Sequence, residues 1–373
     1  MAVTRQQVLD ALAAVPTPRG VTLPLAKVLS EIVTTDGKVF FSISVEASEA
    51  RAWQDVRDRA EAAVRAIPGV VSAMVALTAE RKPAAAPAPA ARGGIPPQAA
   101  HRPHGPAGGG VPKPQAIPGI AAVIAVASGK GGVGKSTTAL NLALGLRDQG
   151  LRVGLLDADI YGPSIPRLTG LHEKPQLNEA RKMIPLVRFG LKIMSIGFLV
   201  DEDTAMIWRG PMVMSAITQM LREVEWGTLD VLVVDMPPGT GDAQLTLAQS
   251  VPLKGAVIVS TPQDLALVDA RRGVAMFKKV GVPILGIVEN MSYFQCPSCG
   301  TRSDVFGHGG AAHEAERLGV PFLGEIPLHM AIRATSDAGT PVVDSDAQGV
   351  HAQIYRAIGA KVLERLKAAS SAA

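Results

Sequence analysis

The sequence predicts an α/β fold, in which a doubly wound, mostly parallel sheet follows a small N-terminal α/β domain. From residue 118 onward, apolar runs of strand length alternate with segments of helical spacing. A glycine-rich segment at 129–137 joins the first of these runs to the first helical segment. Alternation of this kind produces a parallel sheet covered by helices, with ligands at the carboxyl ends of its strands. We therefore expect a ligand site at that edge of the sheet.

The individual elements of this sheet are predicted from their apolar patterns. The run Ile120–Ala127 is apolar enough for a strand that is buried on both faces. Further strands are predicted at 152–156, 192–196, 230–235, 255–260, 284–289 and 321–325. Helices are predicted at 137–148, 212–224, 264–279, 311–318 and 348–368.

A smaller α/β domain is predicted over residues 1–80. Its elements are a helix at Arg5–Val15, a strand at Val39–Val45, a helix at Ala52–Ile67 and a strand at Val70–Leu77. Residues 81–117 are mostly Pro, Ala and Gly, which bury too little apolar surface to fold. We therefore predict a flexible linker there and a second, larger domain at 118–373.

Residues 129–137 (GKGGVGKST) match the phosphate-binding pattern G-x-x-x-x-G-K-[ST]. The glycines let successive backbone N–H groups point at phosphate oxygens, and the following helix presents its N-terminus to them. Lys135 would place a charge on the β- and γ-phosphates, and Ser136 would offer a hydroxyl to Mg²⁺. The sequence thus predicts a sheet of the P-loop NTPase type that binds ATP with Mg²⁺. We expect the nucleotide to contact Gly129, Lys130, Gly131, Gly132, Val133, Gly134, Lys135, Ser136 and Thr137.

Carboxylates follow two of the predicted strands. Asp157 and Asp159 come at the end of the second strand, and Asp235 ends a later one in the Walker B layout. We expect Asp159 to orient the attacking water, while Asp157 and Asp235 reach Mg²⁺ through its bound water. The turn after Asp235 places Gly239 where its backbone N–H can approach the γ-phosphate. Without the phosphate loop, an aspartate that merely caps a turn would be a serious alternative.

Asn290 follows the predicted strand at 284–289. A side-chain amide can pair with the N6 and N7 edge of adenine, so Asn290 is a candidate for binding the base. Asparagine is also common in turns, which is the alternative interpretation of this residue.

The two cysteines, Cys296 and Cys299, lie in a CPSCG segment after the same strand. Such a pair in a cytosolic chain indicates metal or redox chemistry, and three interpretations stay open. A zinc site could add His308 and His313, and a thioredoxin-like pair would need a helix N-terminus at the motif. An iron–sulfur cluster would need four thiolates, which two chains together supply, so it would lie on a two-fold axis between subunits.

Charge and hydropathy argue against two classes of partner. The 373-residue chain has a net charge of +4, but residues 81–116 alone contain five basic side chains and no acidic one. The predicted domains are therefore close to neutral, unlike most nucleic-acid-binding proteins. No apolar run approaches the roughly 20 residues of a membrane span, and the N-terminus lacks a signal-peptide pattern. We expect a cytoplasmic protein that binds neither nucleic acid nor membrane.

Six segments of the chain together match one family. They are GKGGVGKST, DADIYGPS (157–164), WRGPM (208–212), VDMPPGTGD (234–242), VENMSYFQCPSCG (288–300) and GEIPL (324–328). Over about residues 117–365 the chain resembles the Mrp/ApbC-type iron–sulfur cluster carrier ATPases. This family belongs to the deviant-Walker-A group, with MinD, ParA and the nitrogenase iron protein.

The resemblance implies a homodimer that hydrolyses ATP and holds a [4Fe–4S] cluster between Cys296 and Cys299 of both subunits. The cluster would come from a donor and be delivered to apo iron–sulfur proteins. Binding of phosphates within one chain does not need Lys130. In the group, the lysine that matches Lys130 reaches the partner's nucleotide, and the aspartate that matches Asp159 activates water.

Residues 1–80 resemble the small domain that accompanies this ATPase in many bacterial members. Such domains often carry a cysteine after the central strand, and the segment Glu46–Arg51 has none. We therefore expect this domain to dock partners or apoproteins rather than to bind a cluster.

Two other functions stay open. A zinc-stabilised ATPase would carry zinc and no cluster at the cysteines. A positioning ATPase of the MinD/ParA kind would need a basic amphipathic tail or a DNA-binding patch. The C-terminal segment has an apolar stripe at Ile354, Ile358, Val362 and Leu366. Because this spacing is also that of a helix packed in the core, we favour the core interpretation.

Overall fold

The structure, a computed structural model, describes residues 3–30, 32–35, 37–46, 49, 52–80, 115–200 and 210–371. The described residues form two compact units, one up to residue 113 and one from residue 114. Most of the predicted linker lies outside the described residues. So do Trp208 and Arg209 of the WRGPM segment, and most of the segment Glu46–Arg51, where a cysteine was expected. The linker and the domain boundaries stay predictions.

The N-terminal unit has helices beside a small sheet. Its elements are α1 (Arg5–Leu12), β1 (Val33–Thr35), β2 (Lys38–Glu46), α2 (Gln54–Arg65) and β3 (Ser72–Glu80). Strand β2 runs antiparallel to β1 and parallel to β3. Helix α1 begins at a capping box between Thr4 and Gln7, and its apolar face joins Phe41 and Trp53 in the core. The structure adds β1 to the predicted elements and ends the first helix at Leu12 instead of Val15.

The C-terminal unit contains the large sheet and its helices. The strands are β4 (Ile120–Ala127), β5 (Val153–Asp157), β6 (Leu186–Arg188), β7 (Leu191–Ser195), β8 (Leu229–Asp235), β9 (Leu253–Ser260), β10 (Ile284–Gln295), β11 (Arg302–Ser303) and β12 (Phe322–Leu328). The helices are α3 (Lys135–Arg147), α4 (Ile165–Thr169), α5 (Gly210–Arg222), α6 (Asp242–Ser250), α7 (Asp264–Lys279), α8 (Gly310–Leu318), α9 (Met330–Asp337), α10 (Val342–Ser345) and α11 (Val350–Ser371).

The sheet has the mostly parallel, doubly wound arrangement predicted from the sequence. Its strand order is β12-β10-β9-β4-β8-β5-β7-β6, and the short β11 pairs with the end of β10. The pairs β6–β7 and β10–β11 are antiparallel, whereas the other pairs run parallel. The carboxyl ends of β4, β5, β8 and β10 therefore meet at one edge of the sheet. Every strand and helix predicted for this unit is present, with ends that differ mostly by one to three residues.

Helices pack on the sheet in two groups, α3 with α11 and α7 with α8. Gly145 of α3 allows a close approach, because a Cβ there would lie 2.7 Å from the carbonyl oxygen of Tyr355 in α11. Of the four stripe residues of α11, Ile358, Val362 and Leu366 are buried and Ile354 is half-buried. The core interpretation of the C-terminal stripe is thus confirmed.

Candidate functional site

The phosphate loop joins β4 to α3 at the carboxyl edge of the sheet. Gly132 and Gly134 have φ angles of +81° and +77°, a left-handed conformation that strains other residues. A Cβ added at Gly131 or Gly132 would have nothing within 4 Å. The loop thus leaves open space above its backbone, as the binding of phosphate groups requires. Because Gly134 acts as the N-cap, the helix begins at Lys135, two residues before the predicted start.

Lys135 lies at the centre of a buried cluster of charges. Its Nζ lies 2.6 Å from Asp235 Oδ1, 3.1 Å from Ser136 Oγ and 3.8 Å from Asp159 Oδ2. The lysine and Asp235 are almost fully buried, at 6% and 0% side-chain exposure. The structure therefore brings together four of the residues predicted for phosphate binding, Mg²⁺ binding and catalysis.

Asp157 and Asp235 lie directly opposite each other, at the ends of the adjacent strands β5 and β8. Burial, followed by the charge of Asp235, raises the pKa of Asp157 to about 7. Asp157 Oδ1 accepts the Asp159 N–H, and Oδ2 accepts the Ile165 N–H and the Ser195 hydroxyl, at 3.0 to 3.2 Å. Asp157 is thus oriented by donors of the chain itself. Ser195 has no sequence motif around it, so its contact with Asp157 is not predictable from the sequence.

The carboxylate of Asp235 fits a role in holding Mg²⁺. Its Oδ1 accepts from Lys135, whereas its buried Oδ2 has no hydrogen-bond partner among the described residues. A buried oxygen without a donor is costly, and a hydrated cation or its water satisfies such an atom. Ser136, at the start of α3, offers the hydroxyl that the loop pattern predicts for the same ion.

Asp159 begins the loop that follows β5. Burial raises the pKa of Asp159, and the positive charge of Lys135 acts in the opposite direction. The side chain is buried and lies 3.8 Å from Nζ of Lys135, the lysine of the phosphate loop. A carboxylate with a raised pKa at such a place suits a group that orients water, so the assignment is chemically consistent.

Ser128 ties the phosphate loop to the turn after β8. Its carbonyl accepts the Gly239 N–H at 3.0 Å, and its hydroxyl donates to the Lys130 carbonyl at 2.9 Å. Gly239 adopts a φ of +99°, so this turn needs a glycine for its backbone as well as for close approach to a ligand. Ser128 is a second positioning residue that the sequence analysis did not identify.

Asn290 contacts the phosphate loop. Its Nδ2 donates to the carbonyl of Val133 at 2.8 Å, and a Cβ at Gly134 would collide with the same amide. The side chain is buried, at 7% exposure. In this structure Asn290 therefore positions the loop, and its contact with adenine stays a prediction.

Lys130 differs from Lys135 in its surroundings. The residue is half-buried, and its side chain forms no hydrogen bond or ion pair with any described residue. No carboxylate of the described chain thus competes for its ammonium group. This freedom is consistent with a lysine that reaches a group outside its own chain.

The cysteines lie in a tight turn between β10 and β11. The Cys296 N–H donates to Thr301 O at 2.9 Å, and the Gly300 N–H donates to Cys296 O at 2.8 Å. Both cysteines are free thiols, with Cys296 half-buried and Cys299 exposed. Hydrogen bonds with the side chain and backbone of Thr301, and then with Cys296, lower the pKa of Cys299. The turn therefore holds two free thiols near each other in sequence, and the more exposed of them is biased toward its thiolate form.

A zinc site within one chain receives no support from the described residues. They contain no group of three His, Cys, Asp or Glu side chains that could hold a metal ion. His308, one of the two proposed ligands, lies with its Nδ1 2.7 Å from Nη2 of Arg302. The motif also does not begin a helix, which the thioredoxin-like interpretation required.

Two family models match the chain. Residues 119–363 match the model of the NUBPL iron-transfer P-loop NTPases, and residues 5–75 match that of an iron–sulfur cluster assembly protein. The first match spans most of the C-terminal unit, including the phosphate loop and the cysteine turn.

Similar proteins agree with these matches. The iron–sulfur cluster transfer protein NUBPL of Dictyostelium discoideum is 57% identical over 68% of this chain and 79% of its own length. The iron–sulfur cluster carrier protein of Escherichia coli K12 is 53% identical over 67% of this chain and 68% of its own length. A nucleotide-binding protein of Archaeoglobus fulgidus, solved with ADP, is 44% identical with a TM-score of 0.54, covering 59% of this chain and 87% of its own.

A more distant structure resembles the fold alone. The cell-division ATPase MinD of Pyrococcus furiosus has a TM-score of 0.50 and 21% identity, covering 65% of this chain and 99% of its own. The carrier family predicted from the six segments agrees with both the family models and the high-identity relatives. Because the first family model covers well over half of the sequence, this chain belongs to the NUBPL iron-transfer P-loop NTPases.

Proposed function

We propose that this protein is an ATP-dependent carrier of iron–sulfur clusters. Two copies of the chain would hold one [4Fe–4S] cluster as cargo, through Cys296 and Cys299 of each copy. Hydrolysis of ATP at the phosphate loop would be coupled to the retention or release of the cluster. The recipients would be apo iron–sulfur proteins, and a separate donor would supply the cluster.

The observation that carries this proposal is the placement of the cysteine turn. One strand, β10, contacts the phosphate loop through Asn290 and leads directly into Cys296. Two thiols per chain complete half of the usual four-thiolate set, so a second copy is the simplest source of the other half. An exposed cluster between subunits would also be accessible to an acceptor.

The nucleotide site supplies the second part of the proposal. ATP and Mg²⁺ would be held by the loop backbone, Lys135, Ser136 and Asp235, and Mg²⁺ would neutralise charge on the phosphates. Asp159 would orient the attacking water. Asp157 would reach Mg²⁺ through its bound water and would also fix the position of Asp159 by accepting the Asp159 N–H. Gly239 would offer a backbone N–H to the γ-phosphate, Asn290 would contact the adenine, and Lys130 would reach the nucleotide of the partner.

The two alternatives have less support. The stripe on α11 that a MinD/ParA-like positioning ATPase could have used lies in the core. No helix in the part of the chain that the structure covers is long and apolar enough to span a membrane. A zinc site within one chain would need ligands beyond the two cysteines, and the described residues bring no such group together. Cytoplasmic location and the absence of nucleic-acid partners stay predictions, as does the docking role of the N-terminal unit.

Metal analysis of the full chain tests the cluster proposal. The protein is purified without oxygen, reconstituted with iron and sulfide, and assayed for iron, sulfide, zinc and molecular mass. We expect about four iron atoms per two chains in a dimeric species, and little zinc.

Two matched variants test whether the cysteines themselves bind the cluster. Cys296→Ser/Cys299→Ser removes both thiols and should hold no cluster. Ser298→Ala changes the same turn without touching a thiol and should hold a normal one. A normal cluster in the double variant would refute the placement, and stoichiometric zinc without iron would favour the zinc-stabilised ATPase.

A further inference from the structure

The cysteine turn is joined to the sheet by a very short ladder. Strand β11 contains two residues, which pair with Phe294 and Gln295 at the end of β10. Cys296 and Cys299 lie in the turn between these two strands, whose tip is exposed. Two residue pairs give little stability to an isolated hairpin. Other contacts must therefore fix the direction in which the thiols point.

Arg302 of β11 makes contacts of this kind on several sides. Its guanidinium carbon lies 4.0 Å from the centre of the Tyr293 ring, which belongs to β10. Its Nε lies 3.1 Å from Asp304 Oδ1, and its Nη2 lies 2.7 Å from His308 Nδ1 and 3.5 Å from Glu325 Oε2. One side chain thus connects β10, β11, the following loop and β12.

The geometry suits arginine in particular. A planar guanidinium can stack on an aromatic ring while its edge donates to several acceptors, which a lysine ammonium cannot do. The side chain is 42% exposed, so each ion pair alone would contribute little. Simultaneous contacts with β10, β12 and the following loop make the group a restraint on the hairpin rather than a solvated surface charge.

We infer that Arg302 is a positioning residue for cluster binding, which holds the cysteine turn in the orientation that a second copy must match. This inference rests on the proposed function, since it gives the turn a ligating role. Arg302 acts through the strand pair and touches no cargo itself. Its partner across the ladder is Gln295, the residue that immediately precedes Cys296.

The first test measures the turn without any cluster. Metal-free full-length chain is exposed to an alkylating agent, and the modification of Cys296 and Cys299 is followed by mass spectrometry. In Arg302→Ala we expect the half-buried Cys296 to react several-fold faster. Arg152→Ala is the matched control, because Arg152 pairs with Asp230 at the opposite edge of the sheet and should leave both rates unchanged.

The second test measures the loss of the reconstituted cluster to an excess of iron chelator, followed by its visible absorbance. We expect Arg302→Ala to lose the cluster roughly tenfold faster, a factor that stacking and paired contacts of this kind can supply. Arg302→Lys should fall between this variant and the unsubstituted chain. Thermal unfolding of all variants should agree within about 2 °C, since the hairpin is peripheral.

The outcomes separate the two proposals. Unchanged alkylation of Cys296 in Arg302→Ala would overturn the inference, whatever the cargo is. If the unsubstituted chain binds no more iron than the double-cysteine variant, the proposed function fails, while faster alkylation would still support Arg302 as the restraint on the turn. Equal cluster loss in Arg302→Ala and the unsubstituted chain would also overturn the inference.

Discussion

Lys135 and Asp235 form a buried ion pair with 2.6 Å between Nζ and Oδ1. The pair joins the start of α3, where the phosphate loop ends, to the carboxyl end of β8, a strand about 100 residues further along the chain. Breaking one side of a buried pair leaves an uncompensated charge, which costs more than the intact pair contributes. The loop lysine therefore has a structural role in addition to the role toward phosphates proposed for it.

Replacing this lysine should destabilise the protein measurably. We expect Lys135→Met to lower the free energy of unfolding by about 3 kcal/mol, because Asp235 would remain buried without its partner. Denaturant titration of nucleotide-free protein measures the change. Lys130→Met is the matched control, and its effect should stay below about 0.5 kcal/mol because that side chain pairs with no described residue. Equal losses in the two variants would contradict this account.

Lys130 should affect hydrolysis more than binding. We expect Lys130→Ala to bind ATP but to hydrolyse it roughly 100-fold more slowly, the scale seen when a charge-stabilising donor is removed. Equilibrium binding of a labelled nucleotide and steady-state phosphate release distinguish the two quantities. Lys130→Arg keeps the charge and should recover part of the rate. Hydrolysis at the normal rate in the alanine variant would rule out the role.

Two glycines of the loop should respond differently to the same substitution. Gly131→Ala should weaken nucleotide binding without changing the free energy of unfolding. Its Cβ would have no protein atom within 4 Å and would occupy the space that we propose for the phosphates. Gly134→Ala should cost stability by at least about 1 kcal/mol, because it combines a φ of +77° with a collision against Asn290. Unfolding titrations and calorimetric binding measure both. Equal changes in unfolding free energy and in nucleotide affinity for the two variants would contradict these different roles of Gly131 and Gly134.

The pKa of Asp157 predicts a pH effect with a definite sign. Burial and the charge of Asp235 raise this pKa to about 7, whereas an unfolded aspartate titrates near about 3.9. Between these values the unfolded chain has already released a proton that the folded chain retains, so rising pH favours unfolding. The contribution of Asp157 to stability is therefore complete below about pH 4 and is lost as pH rises toward about 7.

The pH dependence of this contribution can be measured by comparing the unsubstituted chain with a variant at Asp157. The unfolding free energy of the unsubstituted chain minus that of Asp157→Asn, measured without Mg²⁺ or nucleotide, should fall as pH rises from about 4.5 to about 8. Asp230→Asn is a control of opposite sign, because hydrogen bonds from Arg152 lower the pKa of Asp230 to about 2. Its effect should change little above about pH 4. A difference for Asp157→Asn that does not vary with pH would contradict the prediction.

The sequence predicts the parts of the site that depend on local pattern. The strands β4, β5 and β8 are apolar runs that end in a glycine loop or a carboxylate, and they meet at one edge because parallel strands must. Lys135, Asp159 and Asp235 could therefore be placed near each other before the structure was known. Strand β10 was predicted to end at 289, but its pairing with β11 extends it to Gln295.

The sequence does not predict contacts that arise only from tertiary packing. Ser128, Ser195 and Arg302 carry no motif, and each matters because of a partner far away in the chain or across a ladder. Asn290 was assigned to adenine from its chemistry, whereas its contact with the Val133 carbonyl depends on how closely two loops approach. The short β6 and helix α6 were also missed, since three residues or a weakly amphipathic segment give little periodic signal.

Strand β10 has a consequence for how the two sites can influence each other. Six residues lead from Asn290 at the loop to Cys296, a span of at most about 20 Å at the strand rise. Between them, Met291 is held at a φ of +54°, and the pairing with β12 slips register. A non-glycine residue in this conformation stores about 1 kcal/mol or more of strain. The phosphate loop and the cysteine turn are thus joined by the backbone of one strand with the left-handed Met291 between them, so a change at one of these places would reach the other without a relay of side chains.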